Sequence, residues 1–183
     1  MKISIPHAPY IANKIALDLL NSGYVTFKKG IEPVKECAQE IITEDLQREK
    51  ALEERVQELL NENEEEMEFM QVDRRQMFWM IKKKLAKEYD FILSYEDRFS
   101  NVAHQILDEL WKRDLIDYNV SENMVKNVIY NAIETYLHTF EDIEEEVIAK
   151  IEKMERKLIP GTDEYNVVFE RLYREALKRK GMM

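Results

Sequence analysis

Residues 74–87, RRQMFWMIKKKLAK, hold the densest binding chemistry in the chain: six bases and no acid around five consecutive apolar residues, Met77 to Ile81. Clustered lysine and arginine suit an anionic partner. Trp, Met and Arg are the residues enriched where protein surfaces meet. Helical residues advance by about 100° each, so five in a row circle the axis and no single neighbour covers them all. On a helical wheel Met77, Phe78, Ile81 and Leu85 form a core face. Trp79 and Met80 point elsewhere, with Trp79 among Arg75, Lys82 and Lys83. The expected partner-binding residues are therefore Arg74, Arg75, Trp79, Met80, Lys82 and Lys83. Two readings of Trp79 stand: it packs on the other half of the chain, or it lies in an exposed basic and aromatic patch.

Catalytic chemistry is hard to find. The histidines His7, His104 and His138 are widely spaced. His104 and Asp108 can share a helix face, but two ligands do not make a metal site. No Glu-x-x-His pairs are present for a di-metal carboxylate bundle. The glycines stand singly at 23, 30, 161 and 181, so no glycine-rich phosphate loop exists. Cys37 has no histidine near it in sequence and reads as a small core residue. Runs such as Glu144-Glu145-Glu146 read as solvated helix faces. No catalytic residue, metal, cofactor or small-molecule ligand is expected. His7 and Tyr10, before the first helix, and Arg98, Asn101 and His104, at the start of its counterpart, are secondary candidates for partner contact.

Composition bounds the partners. With 183 residues the chain can bury a real core, as one domain or two small ones. It is 45% hydrophobic and 35% charged, with four glycines and four prolines, which favours long helices over a turn-rich sheet. A net charge of −10 argues against DNA binding by the whole surface. The charge is segregated, however: residues 36–73 carry 14 acids and 3 bases, and residues 171–180 carry five bases and one acid. A single cysteine, no apolar leader in MKISIPHAPY and no long apolar stretch lead us to expect a cytoplasmic protein without a membrane span. A protein partner or a second copy is the expected ligand. Nucleic acid, bound through the same basic helix, is the alternative, and a membrane surface is disfavoured.

These residues must be positioned by helices, and the helices come in pairs. Shifted by 91 residues, the chain aligns with itself without a gap, as from Val25 to Ile116. Ile15 meets Ile106, Leu19 meets Leu110, Val34 meets Val125, Ile42 meets Ile133, Val56 meets Val147, and Phe78 meets Phe169. Identity is low, yet the apolar register and the non-helical punctuation recur together. We expect an all-α chain of two tandem three-helix units, 1–92 and 93–183, about an approximate internal two-fold, which can pack as one compact domain. The first helices span about 8–22 and 96–113, the latter opening on the capping-box pattern Ser94 to Asp97. The second are long, about 32–68 and 121–157, with a break conceivable at Thr139 to Asp142. The third span about 72–87 and 163–180, after Pro160-Gly161. Tyr24 to Phe27 and Leu115 to Tyr118 alternate and could pair as a minimal two-stranded ribbon.

The stretches HAPYIANKIALDLLNSG (7–23), VDRRQMFWMIKKKL (72–85), YEDRFSNVAHQILDELW (95–111) and RKLIPGTDEYNVVFERLYREALKRKG (156–181) resemble a bacterial family of domains of unknown function, the one numbered 507. The resemblance covers essentially the whole chain and implies a mostly helical fold. It carries no functional residue over. At the position of Trp79 the second half has Glu170, and at Met80 it has Arg171. Shared core is thereby separated from local specialisation, and the specialised helix is the one that holds Trp79.

Overall fold

A computed structural model describes residues 3–181. A short 3-10 turn, Ile5–His7, leads into α1 (Ala8–Asn21), β1 (Val25–Phe27), α2 (Ile31–Glu62), α3 (Glu64–Phe69) and α4 (Arg74–Glu88). The second half follows as α5 (Tyr95–Lys112), β2 (Ile116–Tyr118), α6 (Glu122–Glu152) and α7 (Asp163–Arg179). The fold is all-α, apart from one small ribbon in which β1 and β2 pair antiparallel.

The ribbon register is Val25 with Tyr118, Thr26 with Asp117, and Phe27 with Ile116. Val25 pairs with the 91-shifted match of Phe27, Phe27 with that of Val25, and Thr26 with its own. Exchanging the halves maps the ladder onto itself, as a local two-fold through Thr26 and Asp117 requires. Gly23, at φ +74°, supplies the left-handed turn between α1 and β1.

Helix α1 packs against both long helices, α2 and α6, and so does α5. Their apolar stripes meet in one main core drawn from both halves. It includes Ile11, Ile15 and Leu19 of α1, Ile106 and Leu110 of α5, and Ile129 and Ile133 of α6. Beyond this centre the long helices continue as two arms, α4 lying on α2 and α7 on α6. The α6–α7 arm, with Ile143, Val147, Ile151, Ala176 and Leu177, belongs to the main core. The α2–α4 arm does not. Leu52, Val56, Leu60, Met67, Leu85, Ala86 and Phe91 form a separate cluster.

Several boundaries differ from the sequence expectation. The helix expected over 32–68 is broken at Asn63, where φ −113° and ψ 17° leave the helical region. The Asn63 side chain donates to the Leu59 carbonyl at 2.8 Å, an alternative to continuing the helix. The acids Glu64, Glu65 and Glu66 then open α3, where the helix dipole favours them. In the second half no break occurs at Thr139, whose hydroxyl donates back to the Thr135 carbonyl at 2.9 Å. That helix stops at Glu152 rather than 157, and the Lys157 ammonium donates to the Glu152 carbonyl at 3.1 Å. Ser94 precedes α5 but its hydroxyl makes no capping bond. Asp73, Ser121 and Thr162 do cap α4, α6 and α7.

Candidate interaction surface on the fourth helix

The core stripe of α4 is Phe78, Ile81, Lys82, Leu85 and Ala86, steps of three and four along one face. Met77 and Phe78 are only partly covered. Lys82 was expected on the outer surface, and the structure corrects this: it is 5% exposed. Its ammonium donates to Glu53 Oε1 at 2.8 Å and lies 3.7 Å from Glu49 Oε1. A buried ammonium is tolerable only with such partners.

Glu49, itself buried, also pairs with Arg98 from the first turn of α5. Arg98 Nε and Nη2 both donate to Asp45 Oδ2, at 2.9 and 2.6 Å. Burial alone would lower the Arg98 pKa. The hydrogen bond to Asp45 and the charges of Asp45 and Glu49 outweigh it and hold the group above its ordinary value. The guanidinium also sits over the rings of Phe91 at 4.9 Å and Phe99 at 5.2 Å. The result is a buried ionic layer of Asp45, Glu49, Lys82 and Arg98, with Glu53 at its edge. Along α2 it separates Leu46, in the main core, from Leu52, in the arm cluster.

The layer is the backing of Trp79. Lys82 Nζ lies 5.2 Å from the centre of the Trp79 ring, and Phe78 meets that ring edge-on at 5.6 Å. Trp79 remains 51% exposed and Met80 66% exposed. Of the two readings of Trp79, packing on the other half of the chain is therefore set aside. Phe69, 90% exposed, ends α3, and Met70 follows it as the C-cap, shortly before α4. Arg74 is occupied, donating to Gln57 Oε1 at 3.2 Å and Asn61 Oδ1 at 2.7 Å. Arg75, Lys83, Lys84 and Lys87 are exposed, and no carboxylate among the described residues is within ion-pair distance of them. Arg75, Trp79, Met80 and Lys83 thus share the outer side of α4, while Arg74 turns to α2 and Lys82 inward.

The secondary candidates do not gather into one site. His7 is half-buried, edge-on to Phe140 at 4.4 Å, and its Nδ1 accepts the Ser4 amide N–H at 3.1 Å. Burial lowers its pKa below the ordinary 6.5. Tyr10 packs partly against the main core. Arg98 belongs to the ionic layer. Asn101 and His104 are exposed. His104 Nε2 is 3.6 Å from Asp108 Oδ2, and Glu122 brings a third ligand-type atom within 4.8 Å. That is an i,i+4 surface contact with one further acid beside it. Cys37 is fully buried, and burial raises its thiol pKa to about 11, so it is a core residue and a poor nucleophile. No helix of the described residues is long and apolar enough to cross a membrane.

No curated protein matches this sequence. A family model does, the one described as a protein of unknown function (DUF507), and it matches residues 1–182. The helical fold expected of the four resembling stretches is the fold found, and the chain belongs to the DUF507 family.

Proposed function

We propose that this protein is a non-catalytic cytoplasmic interaction module, which presents the outer face of α4 to an acidic surface of a partner protein with an apolar socket for Trp79. The observation that carries this reading is the posture of Trp79: half exposed, yet backed by a lysine itself anchored on two buried-side carboxylates. An aromatic anchor held in place loses little entropy on binding. The four bases of α4 that have no ion-pair partner among the described residues, Arg75, Lys83, Lys84 and Lys87, supply the charge that selects an acidic partner. The matched positions Glu170 and Arg171 carry no such anchor.

The test is capture of partners from the source cell, wild type against Trp79→Glu, with circular dichroism as the fold control. Glu is the residue the second half already holds at that position. Loss of an acidic protein partner, by about 2 kcal/mol or more of binding free energy, is the expected result for a central aromatic anchor. Unchanged capture with intact helix signal would overturn the proposal.

The second reading, RNA or DNA bound by the same face, draws on the same four bases. Backbone phosphate binding would weaken steeply with salt, with a slope near the number of phosphates neutralised. A complex that tolerates salt but not Trp79→Glu favours the protein partner.

A further inference from the structure

A second surface, on the opposite half of the chain, combines aromatic rings with carboxylates. A groove of about 530 Å³ lies between α5 and α6. Its apolar walls are Tyr95, Phe99 and Tyr130. The Tyr95 and Phe99 rings are near-parallel, 3° apart in plane and 5.9 Å between centres. Its rim carries Glu96, Glu134 and Glu141. Among the described residues no lysine or arginine is within ion-pair distance of those three acids. Only His138 is near, at 3.4 Å from Glu141 and 3.9 Å from Glu134.

The matched positions in the first half show what this surface looks like without specialisation. Tyr95, Phe99 and Tyr130 correspond to Ser4, Ala8 and Gln39, and Glu96, Glu134 and Glu141 to Ile5, Thr43 and Lys50. Every ring and every carboxylate is missing there. Phe99 also serves the main core, but the other two rings and the three carboxylates are not required by the shared fold, since the first half builds it without them.

We propose that the α5–α6 groove is a binding site for a lysine or arginine side chain of a partner protein. Ring faces carry negative electrostatic potential and attract cations, and rim carboxylates add to it. Phe99 already has the Arg98 guanidinium over it, so Tyr95 and Tyr130 are the rings that meet the new cation. Tyr130 already feels that field. Its pKa is raised, first by burial, then by Glu134, Glu96 and Asp97. The shape selects a chain-borne cation over a small free one. Tyr130, Glu134, His138 and Glu141 form a stripe along one face of α6, about 16 Å long at 1.5 Å per residue. An extended segment of about five residues spans that length, at about 3.3 Å each. This site is independent of the α4 face and stands or falls separately from it.

The experiment is aromatic NMR on the full chain with labelled tyrosines, titrated with a 12-residue peptide bearing lysine at every third position. The control is the same peptide with every lysine acetylated, which keeps length and removes charge. The lysine peptide should shift the Tyr95 and Tyr130 ring signals and the acetylated one should not. Tyr130→Leu should weaken binding about fivefold, the loss of one cation–π contact. Glu134→Gln, at an exposed position, should weaken it in the same direction while leaving the fold untouched. Equal response to both peptides, no response, or full binding by Tyr130→Leu overturns the proposal. So does tetramethylammonium shifting the rings as strongly as the peptide, which would assign the groove to small free cations.

Discussion

One layer of the molecule is built twice, in two chemistries. In the first half Asp45, Glu49 and Lys82 meet Arg98, which enters from the start of α5. At the positions 91 residues away the second half has Tyr136, Phe140 and Tyr173, met by His7 from the start of α1. Phe140 takes His7 edge-on at 4.4 Å, Tyr136 at 4.8 Å, and Tyr173 stacked at 6.3 Å. Burial pushes both tyrosine phenols above their ordinary range. The same space is filled by an ion network on one side and by rings on the other.

The difference has a structural consequence. Aromatic rings extend the apolar core, so α6 and α7 share one continuous cluster with the centre. The ionic layer interrupts it, so the α2–α4 arm keeps a small core of its own. Desolvation offsets much of what buried ion pairs gain, so this junction adds little net stability. The arm that carries Trp79 is therefore the one joined to the body by the weaker layer. Elements that bind partners are drawn from the less stable parts of a fold.

The largest effect should come from removing the cation that closes the layer. Arg98→Ala leaves Asp45 and Glu49 buried without their main partner, and urea unfolding should show a loss of about 3–5 kcal/mol. A loss under about 1 kcal/mol would mean that water already solvates those carboxylates. A smaller effect is expected at the matched His7. Folded His7 has a lowered pKa, so the unfolded chain takes the proton first as pH falls. Its contribution is present above the ordinary value of 6.5 and is lost as pH drops below it. His7→Phe should flatten the pH dependence of stability in that window, and an unchanged slope would assign the dependence elsewhere.

Much of this was legible in the sequence. The seams of α1, α5 and α6 follow helical periodicity, and the two alternating four-residue segments identified the ribbon strands to within one residue, because each period directly reports which face is buried. The break at Asn63 was hidden, since the apolar stripe runs on through Met67 while the backbone does not. The ionic layer was hidden for a different reason. Asp45 and Glu49 carry no local sign of burial, Lys82 was expected to face a partner, and only tertiary pairing with Arg98, far away in sequence, makes their burial tolerable. The clue existed: each matches a residue of the aromatic stripe on the other half or, like Arg98, a helix-start residue beside it. The α5–α6 groove had no linear signature, because Tyr95 and Tyr130 come together only when the helices pack.

Native-state hydrogen exchange, compared between residues 77–87 of α4 and the matched residues 168–178 of α7, tests the central claim most directly. Alongside wild type it should be run on the fourfold variant Asp45→Tyr, Glu49→Phe, Lys82→Tyr, Arg98→His, which gives the first half the second half's layer. The account predicts that α4 opens at lower free energy than α7 in wild type, and that the variant closes the gap. Equal opening free energies for the two arms in wild type would contradict it, because the ionic layer would then join arm to body as firmly as the rings do.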